Sequence, residues 1–340
     1  MISKYIAKST VFLVITVAIV CVIYPGMVWV IGQVFFPAQA NGSLLRGPDG
    51  QVVGSKLIAQ PFTKDAYFWP RPSAASYDAS ASSSSSLAPS NYRLRDRVAR
   101  ALGPIARYRS GPEAGKLVGP DIEAWFQRDQ YQGKAGIVAQ WAGLHKGLAI
   151  AWTTADPTHT GYVDAWAKAH SNLVSDRIRV DPSTSQSQAV DIAVVFFENF
   201  SKEHPGEFPS AATTTGPDGK PQTVIEPVKE GLDIQSIFFD MWRQDHPRAD
   251  LQNVPGDMLT TSASGLDPDI TLQNAEYQLD RVASKWAADT NRDPSQVRRE
   301  IDGILQANAR APFRGLAGEK LVNVLEINLE LCRRYGTAAP

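Results

Sequence analysis

Cysteine is nearly absent. The 340 residues hold only Cys21 and Cys332, one inside an apolar run and one near the end, which excludes a disulfide framework and a thiolate metal cage. Net charge is nearly absent as well: 34 basic residues stand against 35 acidic ones, so bulk electrostatics indicate no nucleic acid and no anionic surface as partner. Phosphate-cradling loops are missing, since Gly111 to Lys116 reads GPEAGK, one residue short of the motif and followed by Leu117. The D-K-T-G-T aspartyl-phosphate signature is missing too, and Ser264-Gly265 lacks the preceding glycine of a nucleophile elbow. None of the five histidines forms an H-x-x-x-H pair, and Asp267-Pro268-Asp269 supplies too few oxygens for calcium. It reads instead as a turn. No catalytic residue and no metal ligand is assigned, and no cofactor-binding motif is recognised. What is present, 43% hydrophobic and 20% charged residues, suffices for a real core and for two domains.

Charge is wholly absent from Ser9 to Leu45, and Val11 to Phe36 within that stretch is almost entirely apolar. Crossing roughly 30 Å of hydrocarbon takes about 20 apolar residues, so this stretch is expected to span a membrane. Lys4 and Lys8 precede it and the next basic residue is Arg46, which predicts a cytoplasmic N-terminus. The rival reading is a secretory signal cut at Ala38-Gln39-Ala40, but its apolar region should be only about 7 to 15 residues long. Pro25, beside Gly26, removes the amide that would bond the Cys21 carbonyl, and it predicts a membrane kink.

Beyond the span, Ser43 to Arg46 and Gln51 to Gly54 flank Gly47-Pro48-Asp49-Gly50 and predict a β-hairpin. Tyr67-Phe68-Trp69-Pro70-Arg71-Pro72-Ser73 must run extended. The Ser- and Ala-rich stretch from Ser73 to Asn91 reads by composition as a flexible linker. Near the far end, Thr271 is expected to cap a helix with Ala275, Leu279, Val282, Ala283 and Trp286 on one face. Asp293-Pro294-Ser295-Gln296 predicts a cap, a first-turn proline and a capping-box glutamine before Val297, Ile301, Ile304 and Leu305. Leu321 to Leu331 reads as a short strand followed by a helix.

The middle carries a repeat. Val190 to Pro205 and Leu232 to Pro247 share six of sixteen positions at an offset of 42. Each copy gathers apolar residues on one helical face, Ile192, Val195, Phe196 and Phe200 or Ile234, Ile237, Phe238 and Trp242. A looser pattern, an aromatic followed four residues later by His or Asp, recurs at Trp125/Asp129, Trp141/His145, Trp152/Asp156 and Trp166/His170. One helical turn should bring each pair into contact, with His204 and His246 at helix C-termini.

The kinked span with FFPAQANGSLL, then VVGSKLIAQPF, YFWPRPSAASYDASASSSSSLAPSN and LRDRVA lie on the amino side; VPGDMLTTSASGLDPDI, YQLDRVA and LVNVLEINLEL lie on the carboxyl side. In this order they resemble the C subunit of the Kdp-type potassium-transporting P-type ATPase. The stretch from 111 to 253 resembles nothing in the common short form. The expectation is an α+β protein: a cytoplasmic stretch 1–10, a transmembrane helix 11–36, and an extracytoplasmic mixed α/β domain 37–110 with 254–340, interrupted by a mainly helical insertion 111–253. The resemblance makes the Ser run a loop of the family rather than an idle linker, with serines where the family often carries glycines, which stiffens it slightly.

The resemblance implies a noncatalytic, single-pass subunit of the bacterial inner membrane, in contact with lipid. Its partners would be a potassium-pore subunit and an ATP-hydrolysing P-type subunit, with ATP and potassium handled through the complex. The family is described as a catalytic chaperone raising ATP affinity, which sits awkwardly with a folded domain outside the cytoplasm. A partner or pore-side surface is expected at Trp69, Arg71, Ser73, Asp78, Ser264, Gly265, Asp267 and Asp269, with Leu266 as core. For Arg71 and Asp267 the alternative is an ion pair or turn within the subunit's own fold. A membrane-anchored extracytoplasmic binding or sensing module is the second functional reading. A secreted enzyme, which would require cleavage after Ala40, is the third.

Overall fold

The computed structural model describes residues 2–130, 135–178, 185–215, 220–316 and 318–336. Parts of the expected insertion, 131–134, 179–184 and 216–219, lie outside the described residues. The chain divides into two compact units: Met1–Ser86 with Val254–Pro340, and Leu87–Asn253.

Among the described residues one helix, Lys4–Phe35, is long and apolar enough to cross a membrane, and its most apolar stretch is not buried within the protein. It is α-helical over Ile2–Ala18, π-helical over Ile19–Ile23 and α-helical again over Tyr24–Phe35. The expected break at Pro25 therefore takes the form of a π-turn, in which the Tyr24 N–H donates to the Ile19 carbonyl five residues back. The hairpin follows as expected, with Leu44–Arg46 antiparallel to Val52–Ser55 and a bulge between Leu45 and Arg46. Asp49 and Gly50 make its turn: the Asp49 carboxylate accepts the Gln51 N–H at 3.0 Å, and Gly50 takes φ 79°.

The rest of this unit packs three helices, Leu272–Thr290, Pro294–Asn308 and Val324–Tyr335, beside a two-stranded sheet. Asp269–Thr271 pairs antiparallel with Leu321–Asn323. Asp269 thus opens a strand rather than belonging to a turn. Thr271 ends that strand and caps the next helix by accepting the Asn274 N–H, and the expected Ala275, Leu279, Val282, Ala283 and Trp286 are buried. Asp293 caps the following helix, but the Gln296 amide turns to Glu300 at 3.3 Å, so only half of the capping box forms. Strand then helix is observed from Leu321, with Asn323 as the cap.

The second unit surrounds an aromatic core. Trp141 lies edge-on to Phe197, Phe208 and Phe238 at 5.1 to 6.1 Å, and Phe126 stacks on Phe238 at 4.6 Å. The repeat residues Val195, Phe196, Phe200, Ile234, Phe238 and Trp242 are buried, on the helices Ser185–Glu203 and Leu232–Asp245. Helix Tyr92–Leu102 belongs to this unit, ahead of the boundary expected at 111. Arg95 pairs with Asp240 at 2.8 Å, and Gly103 packs so closely on the Gln235 carbonyl that no Cβ fits. A mainly helical reading omitted a β-hairpin, Phe208–Thr215 with Pro221–Val228, whose first residue is fully buried.

The aromatic-to-His/Asp pattern resolves into two devices. His145, His170 and His246 are C-caps. The rings of His170 and His246 stack on Trp166 and Trp242 at 4.9 and 4.8 Å, and each Nδ1 lies 2.9 Å from that tryptophan's carbonyl. A carbonyl only accepts, so Nδ1 carries the proton and satisfies a helix-end oxygen. His204 follows Glu203 directly, with its N–H on the Phe200 carbonyl. The aspartates open the next helix instead. Asp129 accepts the Ile137 N–H, and Asp156 accepts the N–H groups of Thr158 and His159. Anions at N-termini and histidines at C-termini both suit the helix dipole.

Candidate functional site

Pro70 and Pro72 deny the extended segment any regular ladder, so its buried backbone must find partners elsewhere. Two fully buried amide side chains provide them. Asn328 accepts the Phe68 N–H at 2.8 Å and donates to the Phe68 carbonyl at 3.0 Å. Gln278 does the same for Trp69, at 2.8 and 3.1 Å. Arg281 completes the grip: its guanidinium lies 3.7 Å over the Trp69 ring and donates to the carbonyls of Asp65 and Tyr67. Trp69 is therefore held by the Leu272–Thr290 helix, with its indole N–H on the Lys64 carbonyl at 3.2 Å.

The chain then meets the segment ahead of strand Asp269–Thr271. Arg71 donates to the Thr261 carbonyl at 3.1 Å, and its Nη1 lies 3.6 Å from Asp267 Oδ2. Ser73 Oγ donates to the Gly265 carbonyl at 2.5 Å while accepting the N–H groups of Ala75 and Tyr77. Those two bonds hold Ser76 and Tyr77 in the left-handed region, φ 51° and 59°. Tyr77 Oη donates to the Arg71 carbonyl, and burial pushes its ionisation up.

The serine run is not a linker. Ser83 N–H donates to the Ser264 carbonyl at 2.9 Å, Ser82 Oγ reaches the same oxygen at 3.3 Å, and Thr261 Oγ1 donates to Ser85 Oγ at 3.1 Å. Gly265 sits at φ 71°, where a Cβ would come within 2.7 Å of the Ser83 carbonyl oxygen. Only glycine fits there. Ser264 Oγ accepts the Leu266 N–H, and Leu266 is buried, as expected of a core residue.

Arg71, Ser73, Ser264, Gly265, Asp267 and Asp269 thus come together in one loop cluster. Asp267 Oδ1 accepts the Asp269 N–H at 3.1 Å. Burial raises the Asp269 carboxyl above its ordinary range, against a hydrogen bond from Asn323 at 3.1 Å. Asp78 stands apart, in a local turn where bonds from the Ser80 hydroxyl and N–H hold its carboxyl low. Pro25 and Gly26 lie in the N-terminal helix. Among the described residues no group of three or more His, Cys, Asp or Glu could hold a metal ion. The cluster presents a partly exposed guanidinium and carboxylate on a loop pinned at both ends, which suits a shaped contact surface. Gln278, Arg281 and Asn328 were not anticipated; the signal was the unaccounted backbone of a proline-flanked segment.

A family model described as K+-transporting ATPase, c chain (KdpC) matches residues 6–120 and 220–333. A potassium-transporting ATPase KdpC subunit of Synechocystis sp. is 51% identical over 98 residues, 27% of this chain and 50% of that protein. The corresponding subunits of Parvibaculum lavamentivorans and Pseudomonas putida strain W619 are 40% identical over 106 residues and 42% over 110, covering 31% and 32% of this chain and 55% and 60% of theirs. The chain spans about half the length of the curated relatives it matches.

Proposed function

The chain belongs to the KdpC family, the c chains of K+-transporting ATPases, and on that premise we propose that it is a noncatalytic accessory subunit of an ATP-driven, high-affinity potassium-uptake complex. Its partners are a potassium-pore subunit and an ATP-hydrolysing P-type subunit. Helix Lys4–Phe35 crosses the bacterial cell membrane once. Lys4 and Lys8 keep the N-terminus cytoplasmic, and the residues beyond Phe36 are extracytoplasmic. ATP is then out of reach of the folded units. The subunit supports assembly and activity through packing of its span, or through the Arg71 and Asp267 loop cluster at the pore side, rather than by holding nucleotide.

The observation that supports this most is the family match on both flanks of the chain, joined to a single apolar helix at the N-terminus. Affinity purification of the full-length protein from native membranes in mild detergent tests it. Co-recovery of a pore subunit and a P-type ATPase is expected. Recovery alone, or with unrelated envelope proteins, overturns it.

A further inference from the structure

The hairpin that follows the span has two unlike faces. Leu45 and Val53 pack against the core, whereas Leu44, Arg46 and Val52 point outward, because Leu44 and Arg46 alternate with Leu45 and Val52 stands opposite Arg46. Leu57 follows at the Leu44 end. Leu44, Val52 and Leu57 are 52%, 46% and 59% exposed. Asp49 is the one acidic residue from Gly42 to Lys56, and it is occupied in the turn.

Hydrogen bonds join this hairpin to the last turn of the membrane helix without a break. Asn41 Nδ2 donates to Gln33 Oε1 at 3.1 Å and to the Pro37 carbonyl at 2.7 Å. Ser43 N–H donates to the Ala38 carbonyl at 2.7 Å, Lys56 N–H to the Ser43 carbonyl at 2.9 Å, and Ser55 Oγ to the Gly42 carbonyl at 2.7 Å. The path from Phe36 to Leu44 runs through one helical turn and then four extended steps, about 20 Å at most. The apolar stretch Val11 to Phe36 is about 39 Å long as a helix, against roughly 30 Å of hydrocarbon. The excess, taken up by tilt or by entry into the headgroup layers, leaves Phe35 and Phe36 at headgroup level.

We infer that the outward face of this hairpin, Leu44, Val52 and Leu57 with Arg46 among them, rests in the headgroup layer of the bilayer as an interfacial foot. Arg46 Nη1 donates to the Gly50 carbonyl at 2.9 Å, which holds the guanidinium at the turn; apolar side chains around this single arginine match that layer, where its remaining donors reach phosphate while its stem lies among the acyl ends. The inference rests on the membrane reading above, and it fixes the depth of the unit that the span carries.

Nitroxide labels on the full-length chain in phosphatidylethanolamine and phosphatidylglycerol vesicles test it. Cys21 is replaced by alanine and the buried Cys332 is left in place, with the unlabelled parent as control. Single sites are Leu44→Cys, Val52→Cys and Leu57→Cys, with exposed Ser284→Cys and in-span Val28→Cys as references. The hairpin labels should collide with a water-soluble nickel chelate several-fold less often than the Ser284 label, and more often with oxygen. Water-like hairpin labels beside a lipid-like Val28 label would overturn this inference alone, whereas a water-like Val28 label would overturn the membrane reading itself. Protection that arises only after the ATPase subunits are added would give the face to a protein partner, and so also overturn it.

Discussion

Replacing Asn328 by alanine removes two hydrogen bonds at once and leaves the Phe68 N–H and carbonyl without partners in a buried place, since Phe68 is 1% exposed. Each orphaned buried group costs about 1 to 3 kcal/mol. The expected loss is therefore about 2 to 6 kcal/mol, a large share of the roughly 5 to 15 kcal/mol that holds a domain together. Leucine in its place fills the volume but restores neither bond, so it should be nearly as damaging. Hydrogen exchange of peptides covering residues 64–72 reads this directly, because Pro70 and Pro72 carry no amide. Exchange should accelerate by roughly 30-fold to 20,000-fold if opening is governed by these bonds, at about 1.4 kcal/mol per tenfold. Gln278→Ala should act alike through Trp69, and the double variant should fall short of the sum because the two clamps hold consecutive residues. Unchanged protection in Asn328→Ala, or a stability loss below about 0.5 kcal/mol, would refute the clamp as the anchor of this segment.

Gly265→Ala places a Cβ against the Ser83 carbonyl at a left-handed φ, so it should lose about 1 to 3 kcal/mol; protease nicking within Ser73–Ser86 reports it, and an intact loop argues against the latch. Asp267→Lys breaks a partly exposed 3.6 Å pair and the bond that Asp267 Oδ1 accepts from the Asp269 N–H, so folding stability should fall by about 1 to 2 kcal/mol, while potassium-dependent ATPase activity of the complex falls by more than that loss of folded protein explains. Unchanged potassium affinity with lower complex yield would instead assign Asp267 to folding. Glu300 is held at about 2, first by hydrogen bonds from Arg292 and then by Arg334. A depressed carboxyl contributes stability above its unfolded value and loses it as pH falls through the folded one, so Glu300→Gln should flatten acid unfolding between roughly pH 4.5 and 2. An unaltered acid limb would contradict that ion pair.

Local chemistry made the flanks legible. Thr271, Asp293 and Asn323 cap the helices whose apolar stripes they precede, because a cap is settled within four residues and needs no tertiary knowledge. Gln296 shows the limit, since Glu300 offered its amide a competing partner one turn on. For the Ser-rich stretch composition alone misled, though the resemblance did not: composition registers flexibility, while order here comes from the Thr261 hydroxyl and the carbonyls of Ser264 and Gly265, nearly two hundred residues away in sequence. The proximity of the grouped residues was legible, as Arg71, Ser73, Gly265 and Asp267 do meet. Trp69, read from the sequence as a contact residue, is held in the fold by residues with no motif of their own. In the middle unit the aromatic pattern pointed to helix ends, yet spacing alone did not separate the aspartates that open a helix from the histidines that close one.

The distance in sequence between Phe68 and Asn328, 260 residues, sets an order of events during synthesis. At about 5 to 20 residues per second, roughly 13 to 52 s pass between the emergence of the proline-flanked segment and that of its clamp. Leu87–Asn253 is contiguous, so all of its chain is present while the other unit still waits for its second half. The older half of the host must stay unpaired and intact throughout that interval. Pro70 and Pro72 of the clamped segment and the serines after them, poor material for an aggregating strand, are well suited to the wait.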